Sequence, residues 1–97
     1  MRTMITVQLP AAAGNKAMLD GSLAKVIGQF IERNKPEACF FTTSGGKRTG
    51  YFVIDLKTSS DMPVVGEAFF LQLDADVTFQ PVMTIDELKD GLSRLPK

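Results

Sequence analysis

Glu37-Ala-Cys-Phe-Phe-Thr-Thr-Ser-Gly-Gly-Lys-Arg-Thr-Gly-Tyr-Phe-Val-Ile-Asp-Leu56 is the stretch on which the fold turns. Two runs rich in β-branched and aromatic residues, 37–43 and 48–56, flank Ser44-Gly45-Gly46-Lys47. A Gly-Gly centre between such runs is a hairpin signal, because glycine adopts positive φ without steric cost. With Gly45-Gly46 as a two-residue loop the register follows. Ser44 faces Lys47, Thr42 faces Thr49, Phe41 faces Gly50, Phe40 faces Tyr51 and Cys39 faces Phe52. A ring set opposite a glycine is a favourable cross-strand pair.

Upstream, Ile5, Val7 and Leu9 alternate with Thr6 and Gln8, the period of a half-buried strand, and Pro10 ends it. Ala11 to Lys35 reads as helix. Leu19, Leu23, Val26, Ile27, Phe30 and Ile31 recur at spacings of three and four and form one stripe. Gly21-Ser22 interrupts the span as a fresh cap or a kink, Leu23 to Asn34 is its firm part, and Pro36 stops it.

Downstream, Thr58-Ser59-Ser60-Asp61 offers N-caps, and Met62-Pro63 opens a helix carrying Val65, Ala68 and Phe69 on one face. Asp74-Ala75-Asp76 is a polar turn before a strand over Val77 to Val82. Thr84-Ile85-Asp86-Glu87 fits a capping box, and Ile85, Leu88 and Leu92 stripe the helix that follows. The order is β-α-β-β-α-β with a terminal helix. It predicts a single α+β domain over residues 1–97, a ferredoxin-like antiparallel sheet in the order 4-1-3-2.

Helices cover one sheet face. Ile5, Val7, Leu9, Cys39, Phe41, Phe52, Ile54, Val77 and Phe79 are assigned to it. The opposite face then collects Met4, Thr6, Gln8, Ala38, Phe40, Thr42, Thr49, Tyr51, Val53, Thr78 and Gln80. That set contains no Lys, Arg, Asp or Glu. A sheet face turned to water normally alternates with polar and charged residues, so this one calls for a partner. The simplest is the same face of a second copy, giving a dimeric α/β barrel.

The same face suggests a ligand cleft. Phe40 and Tyr51 supply rings; Thr6, Gln8, Thr49 and Gln80 supply neutral donors and acceptors. A dimer interface without a ligand is the alternative.

Composition narrows the chemistry. Eleven basic residues balance eleven acidic ones, and no basic helix stands out, which argues against nucleic acid. Histidine is absent, which removes His-based triads, metal ligands and pH switches. One cysteine forms neither an internal disulfide nor a Cys-rich zinc site. No metal or cofactor is expected. No membrane-length apolar run and no signal-peptide pattern appears, so a soluble cytoplasmic protein is expected.

Gly46-Lys-Arg-Thr-Gly-Tyr-Phe-Val-Ile-Asp55, Glu67-Ala-Phe-Phe70 and Phe79-Gln-Pro-Val-Met83, taken with the element order, resemble a group of short uncharacterised bacterial proteins. These look like members of the dimeric α/β-barrel superfamily. The resemblance covers nearly the whole chain through core and turn residues. It implies a homodimer. Muconolactone isomerases, cofactor-free antibiotic-biosynthesis monooxygenases and YCII-type proteins share the architecture, but none of their catalytic motifs maps onto this chain. Without histidine, the YCII-type site is excluded.

Three side chains are candidates for chemistry. Tyr51 is the only tyrosine and sits mid-strand on the partner-facing side, where a phenol orients a substrate or acts as general acid. Arg48 is the best group for an acidic ligand, since guanidinium binds carboxylate through two parallel bonds; as part of Lys47-Arg48 at a hairpin end it otherwise reads as solvated. Glu67 would serve as a base if turned inward, and Glu32 and Glu37 more weakly. Cys39 is read as a small inert hydrophobe facing the helices. The expectation is a small-molecule binding or interaction protein acting as a homodimer. The alternative is a cofactor-independent isomerase-like or monooxygenase-like enzyme for a small organic acid or aromatic compound.

Overall fold

The computed structural model describes residues 1–96. Within them, strands β1 (Arg2–Gln8), β2 (Ala38–Ser44), β3 (Lys47–Asp55) and β4 (Asp76–Pro81) form one antiparallel sheet in the order β2-β3-β1-β4. Helices α1 (Ala11–Asp20), α2 (Ser22–Asn34), α3 (Asp61–Leu73) and α4 (Ile85–Ser93) complete the described residues. This is an α+β fold of ferredoxin-like type with a split first helix and an additional C-terminal one.

The hairpin register is the one that a Gly45-Gly46 loop dictates. Both glycines have positive φ, 61° and 76°, and Phe41 pairs with Gly50 and Phe40 with Tyr51.

The span 11–35 is two helices. Gly21 takes a left-handed φ of 83° and serves as C-cap of α1 and N-cap of α2. Ser22 is therefore the first residue of α2, not its cap, and its N–H donates to Asp20 Oδ1 at 2.8 Å. The break changes the stripe. Leu19 belongs to α1, whose direction differs, and it is exposed; Val26 and Phe30 are the buried residues of α2.

The core lies between the sheet and α1–α3. Ile5, Val7, Phe52 and Ile54 from the sheet meet Ala17, Val26, Phe30, Val65, Phe69 and Leu73 from the helices. Three rings, Phe30, Phe52 and Phe69, form its centre, and Phe41 meets Phe52 from the rim. Phe52 lies 4.7 Å from Phe30, 5.9 Å from Phe69 and 5.7 Å from Phe41 between centroids, the last edge-on at 81°.

The helical layer covers β1, β3 and β4 but leaves β2 beyond its edge. Phe41 belongs to the helix-facing set by alternation, yet it is 56% exposed for this reason.

The opposite face is open. Register places Phe40, Tyr51, Thr6 and Thr78 in one row across the sheet, beside a row of Ala38, Val53, Met4 and Gln80. Charge enters this face only toward the strand ends, at Arg2, Lys47, Asp55 and Asp76. Among the described residues no helix is long and apolar enough to cross a membrane.

Candidate functional site

Leu9 and Arg48 tie the start of the site together, the Leu9 N–H donating to the Arg48 carbonyl at 3.0 Å. Strand alternation then puts the Arg48 side chain on the helical face, with Gly50 and Phe52. Lys47, one residue earlier, points the other way and is exposed. The Lys47-Arg48 pair is thus not a solvated unit: Arg48 is half-buried and lies over Gly14 of α1. A Cβ at Gly14 would sit 2.7 Å from Arg48 Nη1, so glycine makes the room the guanidinium occupies.

Beside Arg48 is a partly open cavity of about 210 Å³. Val7, Leu9 and Phe52 line it from the sheet, Leu23 and Ile27 from α2, and the overhanging Phe41 from β2. Gly50 contributes by its lack of a side chain. A Cβ there would come within 3.3 Å of the Phe41 ring and 3.2 Å of Phe52. Arg48 is the one charged residue among those lining the cavity. It forms no ion pair among the described residues.

Of the residues expected to bind a ligand, Thr49 alone lines this cavity. Thr6, Gln8, Phe40, Tyr51 and Gln80 lie on the open face. Two members of the set are already engaged. Gln8 Nε2 donates to the Ser44 carbonyl (3.0 Å) and to Thr49 Oγ1 (3.2 Å), and Thr49 Oγ1 donates to the Lys47 carbonyl (3.1 Å). These bonds brace the hairpin root, and Thr49 is buried beneath them. Tyr51 is half-buried in the middle of the open face, while Phe40 beside it is 69% exposed.

The remaining candidates separate from the cavity. Glu67 is exposed on α3 and does not turn inward, and Glu32 is likewise exposed. Cys39 is half-buried and packs against the core, where burial pushes its thiol pKa up. A thiol held protonated is a poor nucleophile. No cluster of three or more metal-ligating side chains occurs among the described residues.

A charged cluster at the far end of the open face has a different character. Arg2 Nε donates to Glu37 Oε1 at 2.6 Å, and Nη1 donates to Glu87 Oε1 at 2.7 Å. Nearby, Asp55 pairs with the Met1 amine (2.8 Å) and with Lys57. The Lys57 hydrogen bond, then the terminal amine, hold the Asp55 carboxyl down to about 2. The acids and bases here satisfy one another, so the cluster ties β1 to Glu37 and to the first turn of α4 rather than awaiting a ligand.

Sequence reasoning singled out Arg48 but not the cavity. The signals for it were Gly14 and Gly50, whose importance shows only once α1 and β2 are placed over β3. No protein-family model and no curated protein matches the chain.

Proposed function

We propose that this protein binds a small apolar carboxylic acid in the cavity beside Arg48, and that it does so as a homodimer joined through its open sheet faces. The observation that carries the first part is the half-buried Arg48 guanidinium without an acidic partner at an otherwise apolar cavity. A guanidinium partly withdrawn from water gains from a carboxylate, which it grips with two parallel N–H···O bonds. The apolar lining takes the ligand's hydrocarbon body. Cavities of about 150 Å³ lined by Leu, Ile and Phe hold a benzene ring, so about 210 Å³ admits one ring or a branched aliphatic chain.

The lining offers recognition without an evident acid, base or nucleophile, which favours binding over turnover. The uncharged middle of the open face supports the dimer. Most of the lining, including Leu9, Leu23, Ile27 and Arg48, lies on the helical side, away from the paired faces.

Calorimetric titration with benzoate and with benzyl alcohol tests the reading. Benzoate is expected to bind, benzyl alcohol to bind at least about tenfold more weakly, and Arg48→Ala to abolish the difference, since a charge-assisted pair is worth more than a neutral hydrogen bond. Equal binding of the two probes, or benzoate binding that survives in Arg48→Ala, overturns it. Light scattering across a dilution series tests the dimer.

A further inference from the structure

Helix α4 carries an apolar stripe that the described residues leave largely uncovered. Ile85, Leu88 and Leu92 follow the three-and-four spacing of a buried face, yet they are 63%, 41% and 55% exposed, and no residue of α4 is buried. Nine residues are too few for a helix to persist in water alone, since isolated helices shorter than about 12–15 residues are marginal. Its first turn is well fastened. Thr84 and Glu87 form a capping box, and Arg2 holds the Glu87 carboxylate. The rest of the helix lacks a surface to lie on.

The dimensions of the chain say how much surface is unclaimed. A compact protein of 10.6 kDa exposes about 5,500 Å². This chain exposes 6632 Å². The surplus, about 1,100 Å², meets the roughly 800 Å² that each partner contributes to a stable interface. The radius of gyration agrees, at 15.5 Å against about 12.5 Å for a compact chain of this length, and the long axis reaches 56 Å.

The position of α4 says which partner. Arg2 follows the even-numbered, open-face side of β1, and its bond to Glu87 roots α4 at the rim of that face. The Val82 N–H donates to the Arg2 carbonyl at 3.1 Å and fixes the chain leading there. The stripe therefore continues the sheet-face interface. In a face-to-face dimer whose two-fold axis runs parallel to the strands, β2 of the second copy lies over β4. The β2 edge is where Phe40 leaves most of its ring in water.

We propose that α4 is a clasp, its Ile85, Leu88 and Leu92 side chains closing over the β2 edge of a second copy of this chain. The proposal rests on the sheet-face dimer and specifies what completes it. It is tested on the full chain with the double substitution Leu88→Glu and Leu92→Glu. Neither side chain belongs to the buried core, so the fold of the body is not at stake. Light scattering across a dilution series is expected to show the variant dissociating at a concentration at least about a hundredfold higher than the parent, the effect of losing four partly exposed leucines, two from each clasp. Hydrogen exchange is expected to show the α4 amides protected in the parent dimer and unprotected in the variant.

A parent dimer whose affinity is unchanged in the variant, or whose α4 amides exchange freely, overturns the clasp and leaves the sheet-face dimer standing. A parent that stays monomeric at every concentration overturns both.

Discussion

Gly14 and Arg48 are matched across the α1–β3 contact: the Nη1 atom of the arginine takes the place where a side chain on residue 14 would begin, 2.7 Å from an ideal Cβ. The Gly14→Ala substitution separates stability from binding. Alanine is the better helix former by about 1 kcal/mol. The group it displaces is the end of a flexible side chain, which moves at little cost. The melting temperature is therefore expected to hold or rise, while benzoate affinity falls about tenfold because the guanidinium leaves the cavity mouth. Calorimetry and a thermal melt on one variant check both halves. Unchanged affinity would detach Arg48 from the site.

Phe52 is the ring on which the core closes, touching rings from α2, α3 and β2. It is 1% exposed. Phe52→Ala removes that centre and is expected to cost about 3–5 kcal/mol in urea unfolding, as truncation of a buried phenylalanine does. For a domain of this size that approaches the whole stability, so the variant is expected to populate unfolded chain at room temperature. A loss below about 1 kcal/mol would mean that the ring cluster is not the core's centre.

The sheet was legible because strand alternation and the Gly45-Gly46 pair each constrain register, and a slip of one residue would expose Phe52 and Ile54 together. The capping box at Thr84 was legible because its two side chains are local. The break at Gly21 was visible as a position but not as a conformation, since a cap on Ser22 and a left-handed glycine read alike in sequence. Arg48 was misread as solvated because a Lys-Arg pair at a hairpin end usually is. Its half-buried position depends on Gly14, thirty-four residues away, and on where α1 docks. For α4, periodicity announced a buried face but named no surface to bury it. Among the described residues that face stays largely exposed.

Acid is expected to weaken the fold through the surface carboxylates. Asp55 is held down to about 2 by Lys57 and the Met1 amine, Glu87 is lowered by the Thr84 N–H and Arg2, and Asp20 by Ser22. Each pKa is depressed in the folded chain, so the stabilisation is present above the ordinary carboxylate range and lost as pH falls through it toward about 2. All three groups are at the surface, so the effect is modest and shrinks with salt. Urea midpoints measured from pH 5 to pH 2 are expected to decline, with a shallower slope in Asp55→Asn. An identical slope in that variant would show that the pair with Lys57 does not form in solution.

The hairpin turn gives a test in which packing plays no part. Gly45 and Gly46 have positive φ, and nothing lies within 4 Å of a Cβ built on either. Any cost of substitution there is a cost of backbone conformation. Asparagine tolerates the left-handed region, and Asn-Gly is a preferred pair for a two-residue loop of this kind. Gly45→Asn is therefore expected to stay within about 0.5 kcal/mol of the parent. Valine is β-branched and crowds its own backbone at positive φ, so Gly46→Val is expected to cost about 1–2 kcal/mol. The turn also sets Phe41 over Gly50 and Arg48 on the helical face, so Gly46→Val is expected to weaken benzoate binding as the register loosens. Equal stability of the two variants would show that the loop adopts another turn in solution, and the placement of Arg48 would then lose its support.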